Sequence, residues 1–203
     1  RIAIKGVNPR TGRPFIWHMF HARPGGGATV AGDGWETAGE GQAAGGIKFG
    51  SIEVAEARFP LTFEHHEFRA DSGGDGMHRG GVGADLRLRV DVEAPAVANT
   101  AGDGVRHAPY GLLGGGDGLP HRYRLRSRGG QIRTLKTKEV GIVVRPGDVF
   151  VVESSGGGGY GPARRRSAEA RQRDVVNGLV SPSARRSARG SARQSTRRTT
   201  GRG

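Results

Sequence analysis

The sequence predicts a mainly β protein, an antiparallel, glycine-rich sheet region closed by a short C-terminal helix. Three observations carry this expectation. Glycine fills 38 of 203 positions, against a usual share of about 7%, and each glycine inside a helix costs about 1 kcal/mol relative to alanine. Residues 84–93 alternate, with Leu86, Leu88, Val90 and Val92 on one side and Arg87, Arg89, Asp91 and Glu93 on the other, the period-2 signature of a half-buried strand. Short apolar runs elsewhere are separated by clusters of Gly, Pro, Asp and Ser, the punctuation of an antiparallel β chain.

The elements follow in order. The residues after Arg1 already read as strand, and further strands are expected at 15–20, 61–68, 84–93, 123–125, 132–135, 140–144 and 149–153. Turns are expected at 24–27, 32–34, 72–76, 80–83, 114–118, 129–130 and 146–148, where glycine supplies backbone conformations closed to other residues. One helix closes the pattern. Ser167 caps its start, Glu169 suits its first turn, Val175, Val176 and Leu179 form its apolar stripe, and Gly178 with Pro182 end it.

Charge divides the chain into unlike parts. The formal net charge is +13, of which residues 164–203 hold +10, with twelve arginines against Glu169 and Asp174. The first 163 residues are nearly balanced at +3. Three segments are therefore expected: a glycine-rich β region at 1–163, a short helix at 164–182 and a disordered Arg/Ser-rich tail at 183–203. The tail has no periodic apolar positions to offset the entropy of ordering. It could bind polyanions through counterion release. Arginine outnumbers lysine 28 to 4 across the chain, which favours compositional bias instead. The absence of cysteine removes disulfides and thiolate chemistry. No apolar run approaches the roughly 18 residues of a membrane span, so no membrane partner is expected. The start carries no signal-peptide pattern, and the chain reads as part of a longer one.

Motifs narrow the chemistry. No glycine precedes a lysine, so a Gly-Lys-Ser/Thr phosphate loop is absent. Residues 156–161 match G-x-G-x-x-G formally, yet lack the acidic residue about 20 positions on and a following parallel strand. A tight backbone crossing fits better, and the N–H groups of Gly156, Gly158 and Gly161 are candidates for an anion nest. His18 and His21 diverge in a strand, as do His65 and His66, so neither pair chelates a metal without a bend. No H-x-x-x-H pair marks a zinc site. A composite site of a histidine with Glu64, Glu67 or Asp71 stays open. Ser72 lacks the preceding glycine of a nucleophile elbow, Ala70 standing there instead. Asp71 and Ser72 suit a turn, while Arg69, Asp71 and Arg79 are the catalytic candidates, read as lining an inter-subunit or ligand-facing rim.

The order of these pieces carries a resemblance. The motifs are I-E-V-A-E-A-R-F-P-L at 52–61, H-E-F-R-A-D-S-G-G-D-G-M-H-R-G-G-V-G at 66–83 and R-H-A-P-Y-G-L-L-G-G-G-D-G at 106–118. R-P-G-D-V-F-V-V-E-S-S-G-G-G-G-Y-G-P at 145–162 and D-V-V-N-G-L-V-S-P at 174–182 complete the set. Through them residues 52–182 resemble the C-terminal part of the hydantoinase B/5-oxoprolinase family, which includes subunits of acetone and acetophenone carboxylases, and residues 1–46 resemble its preceding glycine-rich stretch.

The resemblance implies a fragment of a larger α+β cytoplasmic subunit in a hetero-oligomer. It implies ATP-dependent hydrolytic ring opening of a small cyclic amide, 5-oxoproline or a hydantoin, with ATP bound by a hydantoinase A-type partner. The family's His/Asp metal motifs lie in its N-terminal part. A divalent metal is expected there, and no metal ligand is carried onto a residue of this chain. The segment alone is accordingly expected to be inactive. A carboxylase subunit acting on a ketone is the alternative within the family. A nucleic-acid binder working through residues 183–203 is the alternative outside it, and the body's few clustered basic and aromatic residues count against it. A scaffold that shapes a site and supplies subunit contacts is the third.

Overall fold

A computed structural model describes residues 1–39 and 50–182. The expected tail at 183–203 lies outside the described residues. The elements run β1 (Ile2–Val7), β2 (Pro14–Met19), α1 (Ile52–Arg58), β3 (Leu61–Phe68), β4 (Ala84–Val90), β5 (Ala96–Thr100), β6 (Arg122–Arg126), β7 (Ile132–Thr134), β8 (Glu139–Val144), β9 (Val149–Glu153) and α2 (Ala168–Val176).

Two antiparallel sheets form, ordered β2-β1-β5-β8 and β3-β4-β9-β6-β7. Their inner faces share one core. Ile2, Ile4, Trp17, Ala98 and Ile142 of the first sheet meet Leu86, Leu88, Tyr123, Phe150 and Val152 of the second. The alternation at 84–93 is realised in β4, where Leu86, Leu88 and Val90 are fully buried. Burying a large apolar side chain is worth about 1.5–3 kcal/mol, so such rows fix the register.

Three elements differ from expectation. β5 is a strand although its inward residues are the small Ala96 and Ala98, too slight to mark it by hydrophobicity. α1 starts at a Ser51 cap that accepts from the Val54 amide at 3.1 Å. It buries only Ala55, so it shows no apolar stripe. In α2 the Ser167 cap stands as expected, accepting from the Ala170 amide. The expected stripe holds only in part: Leu179 is buried and Val175 half-buried, but Val176 is 73% exposed and the buried residue within the helix is Asp174.

The larger surprise concerns glycine. Residues 129–130 and 146–148 are true turns, with Gly130 at φ 86° and Gly147 at φ 79°. The stretches near 25–28, 73–83, 111–118 and 155–161, in contrast, run beside one another as a packed layer. Its bonds go from Gly157 N to Gly81 O (2.9 Å), Gly74 N to Gly157 O (2.8 Å), Gly159 N to Gly116 O (2.9 Å) and Ala28 N to Gly158 O (2.9 Å). Here glycine is required by proximity. A Cβ on Gly157 would overlap the Gly26 carbonyl, and one on Gly80 would overlap the Gly157 carbonyl.

Candidate functional site

β9 runs directly into the central stretch of the glycine layer, so the layer's ends gather the ionisable residues singled out above. The Gly156 and Gly161 amides donate to the carbonyls of Leu119 and Leu112. These two of the three anion-nest candidates therefore spend their N–H groups inside the layer.

Arg69 follows β3 and is 7% exposed. Its Nη1 donates to the carbonyls of Pro120 (2.8 Å) and Ser154 (2.9 Å), and its Nε lies 3.7 Å from Glu153. Burial pulls its pKa below the ordinary guanidinium value, with Glu153 opposing. Asp71 holds the left-handed conformation, φ 62°, and fastens the residues that follow α2. Its amide donates to Leu179 O, and its Oδ1 accepts from the Ser181 amide at 2.8 Å. Arg69 and Arg79 are thus engaged with carbonyls and carboxylates of their own chain, as a buried guanidinium needs its partners close at hand.

Arg79, 3% exposed, joins a charged hub that sequence reading did not assemble. Its Nη2 lies 2.6 Å from Glu36 Oε1 and its Nε 3.2 Å from Asp174 Oδ1. Arg166 contacts the same Asp174 through Nε and Nη2, both at 2.9 Å. Its Nη1 and Nη2 also reach the two oxygens of Asp33, at 2.6 and 2.7 Å. Burial works against the charges of Arg79, Arg166 and Asp33. The carboxylates outweigh it at Arg79 and Arg166, whose pKa values rise, and donation from Arg166 and the Arg79 amide holds the Asp33 carboxyl below its usual range. Asp33, Glu36, Arg166 and Asp174 carry no local signal of this role. The hub spans up to 141 positions of sequence, and only folding closes it.

His21 and His66 meet edge to face with ring centroids 6.2 Å apart, while the other histidines mentioned above lie elsewhere. His21 stacks on Trp17 with ring centroids 6.0 Å apart, and its Nε2 meets Gly50 O at 3.2 Å. His65 faces Asp85 at 3.5 Å, while Glu64 is held by Arg89 (3.3 Å) and Arg126 (3.2 Å). His121 is 6% exposed, lies against Tyr123 with ring centroids 4.3 Å apart and planes tilted by 31°, and leaves its buried Nε2 without a hydrogen bond. Burial first, then the charges of the terminal amine and Arg69, push its pKa down to about 3. Among the described residues, no group of three or more His, Asp or Glu side chains is placed to hold a metal ion. No described helix is long and apolar enough to cross a membrane.

The Hydantoinase B/oxoprolinase family profile matches residues 1–163. Caprolactamase subunit beta of Pseudomonas jessenii is 33% identical over 187 residues, 89% of this chain and 32% of that protein. 5-oxoprolinase 1 of Arabidopsis thaliana is 31% identical over 109 residues, 54% of this chain and 8% of that protein. The crystal structure of the ATP-dependent caprolactamase from Pseudomonas jessenii superposes with a TM-score of 0.74 at 28% identity, covering 89% of this chain and 32% of that one. Nucleotide-free acetone carboxylase superposes at 0.73 and 21% identity over 89% of this chain and 28% of its own, a likeness of fold. The chain spans about a third or less of the length of these relatives.

Proposed function

Because the chain belongs to the hydantoinase B/oxoprolinase family, we propose that it forms part of the B-type subunit of an ATP-dependent enzyme that opens a cyclic amide, 5-oxoproline or a hydantoin, with a hydantoinase A-type partner binding the ATP. The observation that carries this reading is the match along 89% of the chain to a caprolactamase subunit. A relative named 5-oxoprolinase supports the same substrate class.

Within that enzyme the described residues act as scaffold. Arg69, Arg79, Arg166, Asp33 and Asp174 are engaged with one another or with carbonyls, leaving none of them poised toward an open site. The described residues do not fit a divalent metal, since none of their carboxylates and imidazoles assemble into a ligand set. Gly156 and Gly161 spend their amides inside the layer, which supports assigning the nucleotide to the partner. This reading places the reacting groups in the part of the subunit that the chain does not span, since the chain covers 32% of the caprolactamase subunit.

The deciding experiment assays the complete subunit, co-purified with its A-type partner, against 5-oxoproline, hydantoin, and a ketone with bicarbonate. Ring-opened product formed in step with ADP is expected. Product from the ketone alone would replace this reading with the carboxylase one, and turnover by the 203-residue chain alone would end the scaffold role.

A further inference from the structure

The residues beyond the glycine layer are fastened unlike the rest of the molecule. They leave the layer at Pro162, pass through a single 3-10 turn at Ala163–Arg165 and enter α2 at the Ser167 cap. Among the described residues, none after Val152 is a buried member of the shared hydrophobic core. α2 buries no apolar side chain of its own, and Leu179 is the buried apolar residue that follows it.

Polar fastenings take the place of apolar packing. Asp174 is gripped by Arg79 of the body and by Arg166, which is itself bound to Asp33 and to Met77 O (3.2 Å). The side chains of Arg79, Arg166 and Asp174 are 4, 7 and 8% exposed. Water and salt therefore screen these charges little. A second fastening joins Asp71 to Leu179 and Ser181.

We propose that residues 163–181 form an ionic latch, a strap closed on the body through Asp174 and Asp71 that opens as one unit while both sheets stay folded. Hydrophobic burial holds the sheets together across a broad area, whereas removing any one member of the hub leaves uncompensated charge at a single point. Units secured so differently separate at different free energies. Opening uncovers Arg79 together with Asp33 and Glu36, beside the 76%-exposed Trp35.

Hydrogen exchange read by mass spectrometry on the 203-residue chain tests the latch. The amides of Arg171, Asn177, Leu179 and Val180 are hydrogen-bonded and report on the strap, and those of β4 and β9 report on the body. In the wild type the strap is expected to exchange at least about 100-fold faster than β4 and β9. In Asp174→Asn it should lose its protection while β4 and β9 retain theirs. Asp71→Gly keeps a residue suited to φ 62° but removes the Ser181 acceptor. It should speed exchange at Arg171, Asn177, Leu179 and Val180 together while β4 and β9 keep their protection, and it serves if Asp174→Asn does not fold; release of Ser181 alone would count against a single unit. Equal exchange of strap and strands in the wild type, or joint loss of protection in Asp174→Asn, would overturn the proposal.

Discussion

Arg166 meets Asp174 side-on, with Nε 2.9 Å from Oδ2 and Nη2 2.9 Å from Oδ1. The planar guanidinium matches the carboxylate edge with two parallel bonds, a geometry that a lysine ammonium cannot reproduce. Its Nη1 and Nη2 at once serve Asp33.

Replacing Arg166 by lysine keeps the charge and breaks the fork. Arg166→Lys is expected to lower the unfolding free energy by about 2–4 kcal/mol, read from urea denaturation. A loss below about 0.5 kcal/mol would mean that charge alone suffices.

The glycine layer makes a sharper distinction. Gly157→Ala places a methyl on the Gly26–Gly27 peptide, which is backbone and not a side chain that could move aside. It should cost more than about 3 kcal/mol or prevent folding. Gly32→Ala, with open space around the added carbon, should change stability by less than about 0.5 kcal/mol. Similar effects at the two positions, in parallel thermal melts, would refute close packing as the reason for glycine.

Acid should weaken the fold through His121. Its folded-state pKa of about 3 lies below the ordinary 6.5, so the native state favours neutral imidazole. That contribution is complete above pH 6.5 and is lost as pH falls toward 3. His121→Phe retains a ring beside Tyr123 and removes the titration. The stability of the wild type relative to His121→Phe should drop by about 1.4 kcal/mol per pH unit between about pH 6 and pH 4. A pH-independent difference would show that His121 titrates normally.

Arg69 joins the loop after β3 to the start of β6 and the end of β9. Arg69→Met strips the carbonyls of Pro120 and Ser154 of a charged donor. A loss of about 2 kcal/mol in chemical denaturation is expected, with the sheets still formed by circular dichroism. Unaltered stability would indicate that water replaces the guanidinium there.

Local pattern carried the strands well. The run 84–93 announced β4, and the apolar residues at 61–68 and 149–153 marked β3 and β9 to their ends. The Ser167 cap was equally legible, because a cap involves only residues a turn apart. β5 and α1 escaped for want of large buried side chains. The stripe failed at Val176 because α2 is seated chiefly by charge at Asp174, a role that apolar periodicity does not mark.

By itself the sequence determined an antiparallel β protein of the hydantoinase B/oxoprolinase family, since strand alternation and ordered motifs are properties of neighbouring residues. Only the tertiary structure decided what the glycines and arginines do. Gly157 lies beside Gly26, and Asp174 beside Arg79. A missing Cβ looks the same in a turn and in a packed layer, and a charge looks the same in water and in a buried pair, until distant segments are brought together.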